Sequence, residues 1–283
     1  MTTTVSPLVS PEVVSQLNQV LSNLGSNDNN LRSSAEKQLN EQWIAQQPDL
    51  LLLSLAQLGR THKETHVRIR LKYRSFSFVL LRRLAFKAPN QASKLDELTI
   101  WDLLQEQSRQ AIKNELLISL SVEQENTVRH KVCDAISEVA KNSFLKGQKW
   151  SELLTALIEA SKTPSAEHRE AALRIFSAVP NLLTDIQINE VKQVFSANLQ
   201  DTNNAAIRMA ALKAAVAFML ETDQQSRNSF AELMPQMLEV LSPLIAQRDE
   251  DGLVDGIMVF IELGGIIISF KALGSVVNGY PRK

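Results

Sequence analysis

The chain has 283 residues, 44% hydrophobic and 22% charged, with a formal net charge of −1, an ordinary soluble composition that by itself excludes no partner class. A single cysteine, Cys133, excludes an internal disulfide. The most apolar run, residues 257–270, is broken by Glu262, Gly264 and Gly265 and falls short of the ~20 apolar residues of a bilayer span, so no membrane segment is expected. The opening MTTTVSPLVSP lacks a basic n-region and a long apolar run, so no secretory signal is expected either.

Nine glycines, nine prolines and 5% aromatics favour helices over sheets. In chain order, the apolar spacing predicts Leu-rich helices over 11–24, 48–58, 99–121, 149–161, 185–199 and 229–247. Pro235 falls in the first turns of the last of these, where it costs little, and Pro243 should kink or end it. Four of these A helices, the first, third, fourth and fifth, are followed by a recurring pattern: a turn-like polar cluster, an aliphatic residue, an arginine, then small residues at helical spacing. It reads Asn27-Asp28-Asn29-Asn30-Leu31-Arg32, then Glu125-Asn126-Thr127-Val128-Arg129, then Pro164-Ser165-Ala166-Glu167-His168-Arg169, then Thr202-Asn203-Asn204-Ala205-Ala206-Ile207-Arg208. Asn or Asp ahead of the arginine can cap a second, B helix. The B stripes run Leu31, Ala35, Leu39 in the first unit. They run Val128, Val132, Ile136, Val139 in the third and Ile207, Ala211, Ala214 or Ala215, Phe218 in the fifth. Gly252 and Gly256 should weaken the last B helix, 253–263.

Arg129 to Arg169 is 40 residues, Arg169 to Arg208 is 39, and Arg32 to Arg74 is 42. A period near 40 with two helices per unit is the HEAT spacing. One helical hairpin cannot bury its apolar face alone, so neighbours stack and share a continuous core. The expected fold class is therefore all-α, a HEAT-repeat α-solenoid: a right-handed superhelix of about six hairpins, the last incomplete. Arg32, Arg129, Arg169 and Arg208 recur once per unit and are expected to form a structural ladder, each bonding acids or carbonyls of the neighbouring unit.

Two stretches break the rhythm. Residues 60–89 hold nine basic residues against one acid, Glu64, which reads as a solvated face or a surface for an acidic protein; no aromatic or Gly-rich motif accompanies it, so no direct nucleic-acid contact is expected. Within it, residues 67–74 form a basic alternating run, read as a loop or as an extension of the second B helix, since a lone strand would have no partner. The tail, 264–283, has no helical stripe.

Residues 32–43 (RSSAEKQLNEQW), 78–89 (FVLLRRLAFKAP), 128–136 (VRHKVCDAI) and 168–180 (HREAALRIFSAVP) resemble the karyopherin-β nuclear transport receptors, most closely the importin beta-3 (importin-5-like) group, over about 12–263. The resemblance implies a nuclear import receptor, or a fragment of one, that shuttles between cytoplasm and nucleus. It implies a concave face of B helices that binds Ran-GTP, outer A helices that pass phenylalanine-glycine nucleoporins, and protein cargo with basic localisation signals on a cargo surface that is incomplete in a chain of this length. On that reading residues 1–10 are a disordered N-terminus, 11–95 are two importin N-terminal type repeats, 96–263 are repeats 3–6, and 264–283 are an atypical tail. The family would run from Val67 almost directly into Ser75, so residues 68–73 read as an insertion; sequence retained from a non-coding region would account for both this segment and the tail. B-helix positions off the buried stripes are the candidate Ran-GTP contacts: Lys37, Arg82, Lys131, Asp134 and Glu138. The alternatives from other classes are a HEAT scaffold subunit without Ran binding and a truncated product without function.

No catalytic chemistry is expected. His62 and His66 stand at zinc-binding helical spacing, but Lys63 replaces the glutamate a metalloprotease needs and no third ligand is near. Ser34-Ala35-Glu36-Lys37 matches a hydrolase string only by chance on an amphipathic repeat helix. Asp249-Glu250-Asp251-Gly252 begins like a calcium loop, and Leu253 stands where the next oxygen ligand belongs. The glycines form no phosphate loop. Cys133 is expected in the core. Neither a metal, nor a cofactor, nor a set of catalytic residues is called for.

Overall fold

A computed structural model of the protein describes residues 8–61, 66–89 and 98–267. Residues 1–7 of the segment expected to be disordered and most of the tail fall outside the described residues, as do His62 and Glu64; Leu8 and Val9 donate their amides to Gln57 Oε1, and Val9 is buried. Every regular element among the described residues is helical. The chain divides into two compact units, Met1–Gln148 and Lys149–Lys283.

The first unit stacks three hairpins. They are α1 (Pro11–Leu24) with α2 (Asn29–Gln38), α3 (Pro48–Thr61) with α4 (Val67–Ala85), and α6 (Glu106–Val122) with α7 (Asn126–Leu145). The A helices pack in order, α1 on α3 and α3 on α6, and the B helix α4 packs on α7. Asp28 caps α2 by accepting from the amides of Asn30 at 2.7 Å and Leu31 at 3.4 Å, as the polar cluster before the arginine predicts. Ala35 and Leu39 of the first stripe are buried, but Leu31 stays 46% exposed. Past Gln38 the helix widens into a π turn, Leu39–Ile44, that carries Trp43 and Ile44 into the core. The stripe Val128, Val132, Ile136, Val139 is fully buried, and so is Cys133.

Residues 68–73 resolve as helix: they form the first turns of α4, the extension reading rather than a loop or strand. α4 lies close against α3 because Gly59 has no side chain. A Cβ there would come within 2.5 Å of the ring tip of the fully buried Phe78.

The expected helix over 99–121 is broken. A short turn, α5 (Ile100–Leu103), precedes α6, with Leu104 and Gln105 extended between them. Side chains satisfy what the break frees: Asp49 accepts from the Gln105 amide at 3.1 Å, and Arg109 approaches the carbonyls of Trp101 and Asp102 at 3.5 Å. Thr99 and Asp102 close a capping box at the start of α5.

The second unit pairs α8 (Ser151–Ala160) with α9 (Ala166–Ala178) and α10 (Ile188–Leu199) with α11 (Ala205–Glu221). The next A segment is divided into α12 (Gln224–Ser229), α13 (Met234–Glu239) and α14 (Leu241–Gln247), followed by α15 (Glu250–Ile267). The B helices α9, α11 and α15 pack in series. Ser165 caps α9 and Asn204 caps α11. Phe195, Phe218 and Phe230 cluster with ring centroids 5.4–6.2 Å apart, an aromatic core that ties α10, α11 and the sixth repeat together. Pro235 sits in the first turn of α13. The helix ends at Glu239, four residues before Pro243, whose ring excludes the carbonyl of that residue and which has no amide to donate to it. α15 is continuous through Gly252 and Gly256, and a Cβ on Gly256 would collide with the Leu241 side chain of α14. The glycine is the contact point of the two helices. Asp249 caps α15 by accepting from the Gly252 amide at 3.0 Å, which gives the acidic run Asp249-Glu250-Asp251 a structural role.

Candidate partner-binding surface

Each B helix buries one stripe and turns other positions outward. In the first unit the outward positions of α4 and α7 meet. Asp134 lies 3.8 Å from Arg82 across the helix pair and 3.5 Å from Lys131 on its own helix. One carboxylate faces two cations, and the Arg82 and Lys131 side chains are 36% and 41% exposed. Glu138, one turn further along α7, accepts from Asn142 at its carbonyl and its Oε1. Four of the five expected contact residues thus lie on one helix pair. Lys37 stands apart from them, exposed on α2.

The second unit carries a shallow groove between its B helices, lined by Ser177 of α9, Lys213 and Ala217 of α11, and Asp255, Met258, Val259 and Glu262 of α15. Lys213 and Asp255 pair across it at 2.9 Å.

The repeated arginines divide into two uses. Arg32, Arg129 and Arg208 turn back on the turn of their own hairpin. Arg32 donates to the Ser26 carbonyl at 2.8 Å, Arg129 to those of Glu123 and Gln124, and Arg208 to that of Asp201 at 2.6 Å. Arg169 reaches forward to the next hairpin, where its guanidinium meets Asp201 at 2.7 Å. Arg74 does the same in the first unit: it pairs with Glu123 and donates to the Gly59 carbonyl at 2.8 Å. A rule follows that holds in both units. An acid in the A–B turn takes the previous repeat's arginine on its side chain and its own repeat's arginine on its carbonyl. Arg74–Glu123–Arg129 and Arg169–Asp201–Arg208 are the two copies. A further link joins Arg60 to the buried Glu115 at 2.5 Å.

The acids Glu115, Glu123 and Asp201 were not legible as partners. Two of the nine basic residues of 60–89, Arg60 and Arg74, are therefore internal rather than part of a solvated face. Burial alone would raise the Asp201 pKa. The Arg169 guanidinium and the amides of Asn203 and Asn204 outweigh it and hold the carboxyl below its usual range. Asp102 behaves alike: burial raises it, and Lys146 and Thr99 more than compensate. These are structural anions, and none faces a nucleophile or a cleft suited to catalysis. Among the described residues no helix is long and apolar enough to cross a membrane.

Residues 124–270, half of the chain, match the family described as "IPO5-like, TPR repeats". The chain belongs to that family. The IPO5-like importins most similar to it include the importin subunit beta-3 of Saccharomyces cerevisiae, 30% identical over 255 residues that cover 89% of this chain and 22% of that protein. A probable importin-5 homolog of Dictyostelium discoideum is 26% identical, covering 80% and 20%. Crystal structures of Kap121p, alone and bound to Ste12p or Nup53p, superpose with a TM-score of 0.74 at 29% identity, over 90% of this chain and 23% of that one. The chain spans about a fifth of the length of these relatives. Its fold class is the all-α HEAT-repeat solenoid of that importin family, and the 39–40-residue arginine spacing is the HEAT period rather than the 34 of a tetratricopeptide repeat. Importins are transport receptors, not enzymes, and this chain is a member of the nuclear import receptor family.

Proposed function

We propose that the chain acts as a nuclear import receptor, or as a portion of one, and binds Ran-GTP through the outward B-helix face of its first unit. The observation that carries the reading is the Arg82–Asp134–Lys131 cluster, two partly exposed cations around one carboxylate on adjacent B helices. Lys37 extends the same sign of charge to the first repeat, and Glu138 borders the cluster on α7. Phenylalanine-glycine nucleoporins would pass over the A helices; that the similar Kap121p has been crystallised bound to Nup53p supports a nucleoporin partner. Protein cargo with basic localisation signals would meet the carboxylates of the second unit's groove, Asp255 and Glu262, on a cargo surface that is incomplete at a fifth of the relatives' length. Ran-GTP and cargo would then act through linkage, each weakening the other's hold on the chain. The chain would shuttle between cytoplasm and nucleus.

The test is a pull-down of the full chain with Ran loaded with GTP or with GDP. GTP-selective capture, lost when Lys37, Arg82 and Lys131 are all changed to glutamate, is the expected result. Capture that ignores the nucleotide or survives the triple change would remove the reading and favour a HEAT scaffold without Ran binding.

A further inference from the structure

α4 has no acid in its 19 residues. Its inward face buries Ser77, Phe78, Leu81, Leu84 and Ala85. The opposite face carries Arg68, Ile69, Lys72, Phe76, Val79 and Arg83 in one helical stripe. Arg68, Lys72 and Arg83 are exposed and enter no ion pair among the described residues. Ile69 is 42% exposed, and Phe76 and Val79 are partly exposed. Fifteen helical steps from Arg68 to Arg83 make the stripe about 22 Å long.

This arrangement is unfavourable in the chain by itself. Arg68 and Lys72 are like charges at i, i+4. Both lie in the first two turns, where the helix dipole disfavours cations. The other cations of α4 that matter for the fold behave differently, since Arg74 is spent on Glu123 and Gly59 and Arg82 faces Asp134. Arg68 and Lys72, held against their local field, and Arg83, exposed in the last turn, have apolar side chains between them and together match an anionic surface that also offers apolar groups.

We propose that the outward stripe of α4 is a docking surface for an acidic peptide segment with aliphatic or aromatic side chains set among its carboxylates. The proposal goes beyond the Ran-GTP reading, which uses Arg82 on the flank of the helix. The apolar residues of the stripe are mainly aliphatic, whereas single-stranded nucleic acid is held on aromatic platforms. The wide apolar face of α4 is already buried in the hairpin, so too little apolar area remains to enter a bilayer.

Fluorescence anisotropy on the full chain tests this with a labelled 15-residue peptide of alternating Glu and Leu or Phe, without Ran present. The chain is expected to bind it, and the R68E/K72E/R83E variant to bind it at least ~10-fold more weakly. Raising salt from about 50 to about 300 mM should weaken binding of the unaltered chain. I69S should also weaken it, since a purely electrostatic contact would not respond to that change. The triple variant should keep its Tm, because its three cations enter no ion pair among the described residues and the acids it places in the first turns and in the last turn of α4 act oppositely on the helix dipole. Any of four results overturns the proposal: no peptide binding, unchanged binding by the triple variant, a lowered Tm in that variant, or tighter binding of a uridine 15-mer or of phosphatidylserine vesicles than of the peptide.

Discussion

Replacing Asp201 by alanine tests whether the repeats are held in register by their acid–arginine links. Asp201 accepts from Arg169 at 2.7 Å and from the amides of Asn203 and Asn204 at 2.9 and 2.7 Å. Its side chain is only 8% exposed and that of Arg169 18%. Removing the carboxylate leaves a largely buried guanidinium with only a long contact to Asn198 at 3.4 Å and frees two turn amides. Breaking such a pair on one side costs about 3 kcal/mol. The Arg208 bond to the Asp201 carbonyl does not depend on the side chain and should survive. Asp201→Asn keeps the shape and the turn bonds and should cost less, about 1–2 kcal/mol. The folded carboxyl titrates below its unfolded value, so its stabilisation is complete above the unfolded pKa and is lost as pH falls through the folded one. Urea unfolding followed by far-UV circular dichroism at pH 7 and at steps down from about pH 5 measures both effects. The asparagine variant should lose less stability on acidification than the unaltered chain. A cost for Asp201→Ala within about 0.5 kcal/mol, or identical acid sensitivity of the two proteins, would refute the ladder as a source of stability.

Two backbone-level predictions accompany it. Gly59→Ala should lower stability by about 1–2 kcal/mol despite alanine's better helix propensity, because the new methyl meets the buried Phe78 ring. Gly25→Ala meets only carbonyl oxygens at 3.5 and 3.7 Å and should be neutral or stabilising by ~0.5 kcal/mol, so equal thermal shifts for the two would contradict the packing argument. Arg248 closes α14 in the left-handed region at φ 55° and ψ 37°. Arg248→Gly should therefore raise stability by about 1 kcal/mol in the same unfolding assay, and a loss would mean that the side chain does more than occupy a strained cap.

The helices and their order were legible because the signals that specify them are local. A helix bonds to itself, so apolar spacing suffices to place α7 and α11 with their buried stripes, and the polar cluster ahead of the arginine supplies the Asn204 cap of α11. Pro243 ended its segment for the same reason, since its missing amide and ring act within one turn. Leu31 escaped the prediction because a stripe position at a helix start is buried only if another element covers it. The break at Leu104 and Gln105 escaped it because the groups that make it tolerable, Asp49 above all, come from a different hairpin.

The sequence by itself determined that the chain is a run of paired amphipathic helices with a period near 40 and an arginine recurring in the first five B helices, as well as which outward positions carry charge. Only the tertiary structure decided whom those arginines meet. Glu123 lies 49 residues from Arg74, and Asp201 lies in the hairpin after that of Arg169. Several acids stand at comparable separation, and the stacking of one hairpin on the next selects among them. The same stacking turned Gly59 and Gly256 from weak points of a helix into the contacts that let two helices touch. Whether a residue without a side chain costs stability or permits packing depends on what lies opposite it, and that is a fact about space rather than about order along the chain.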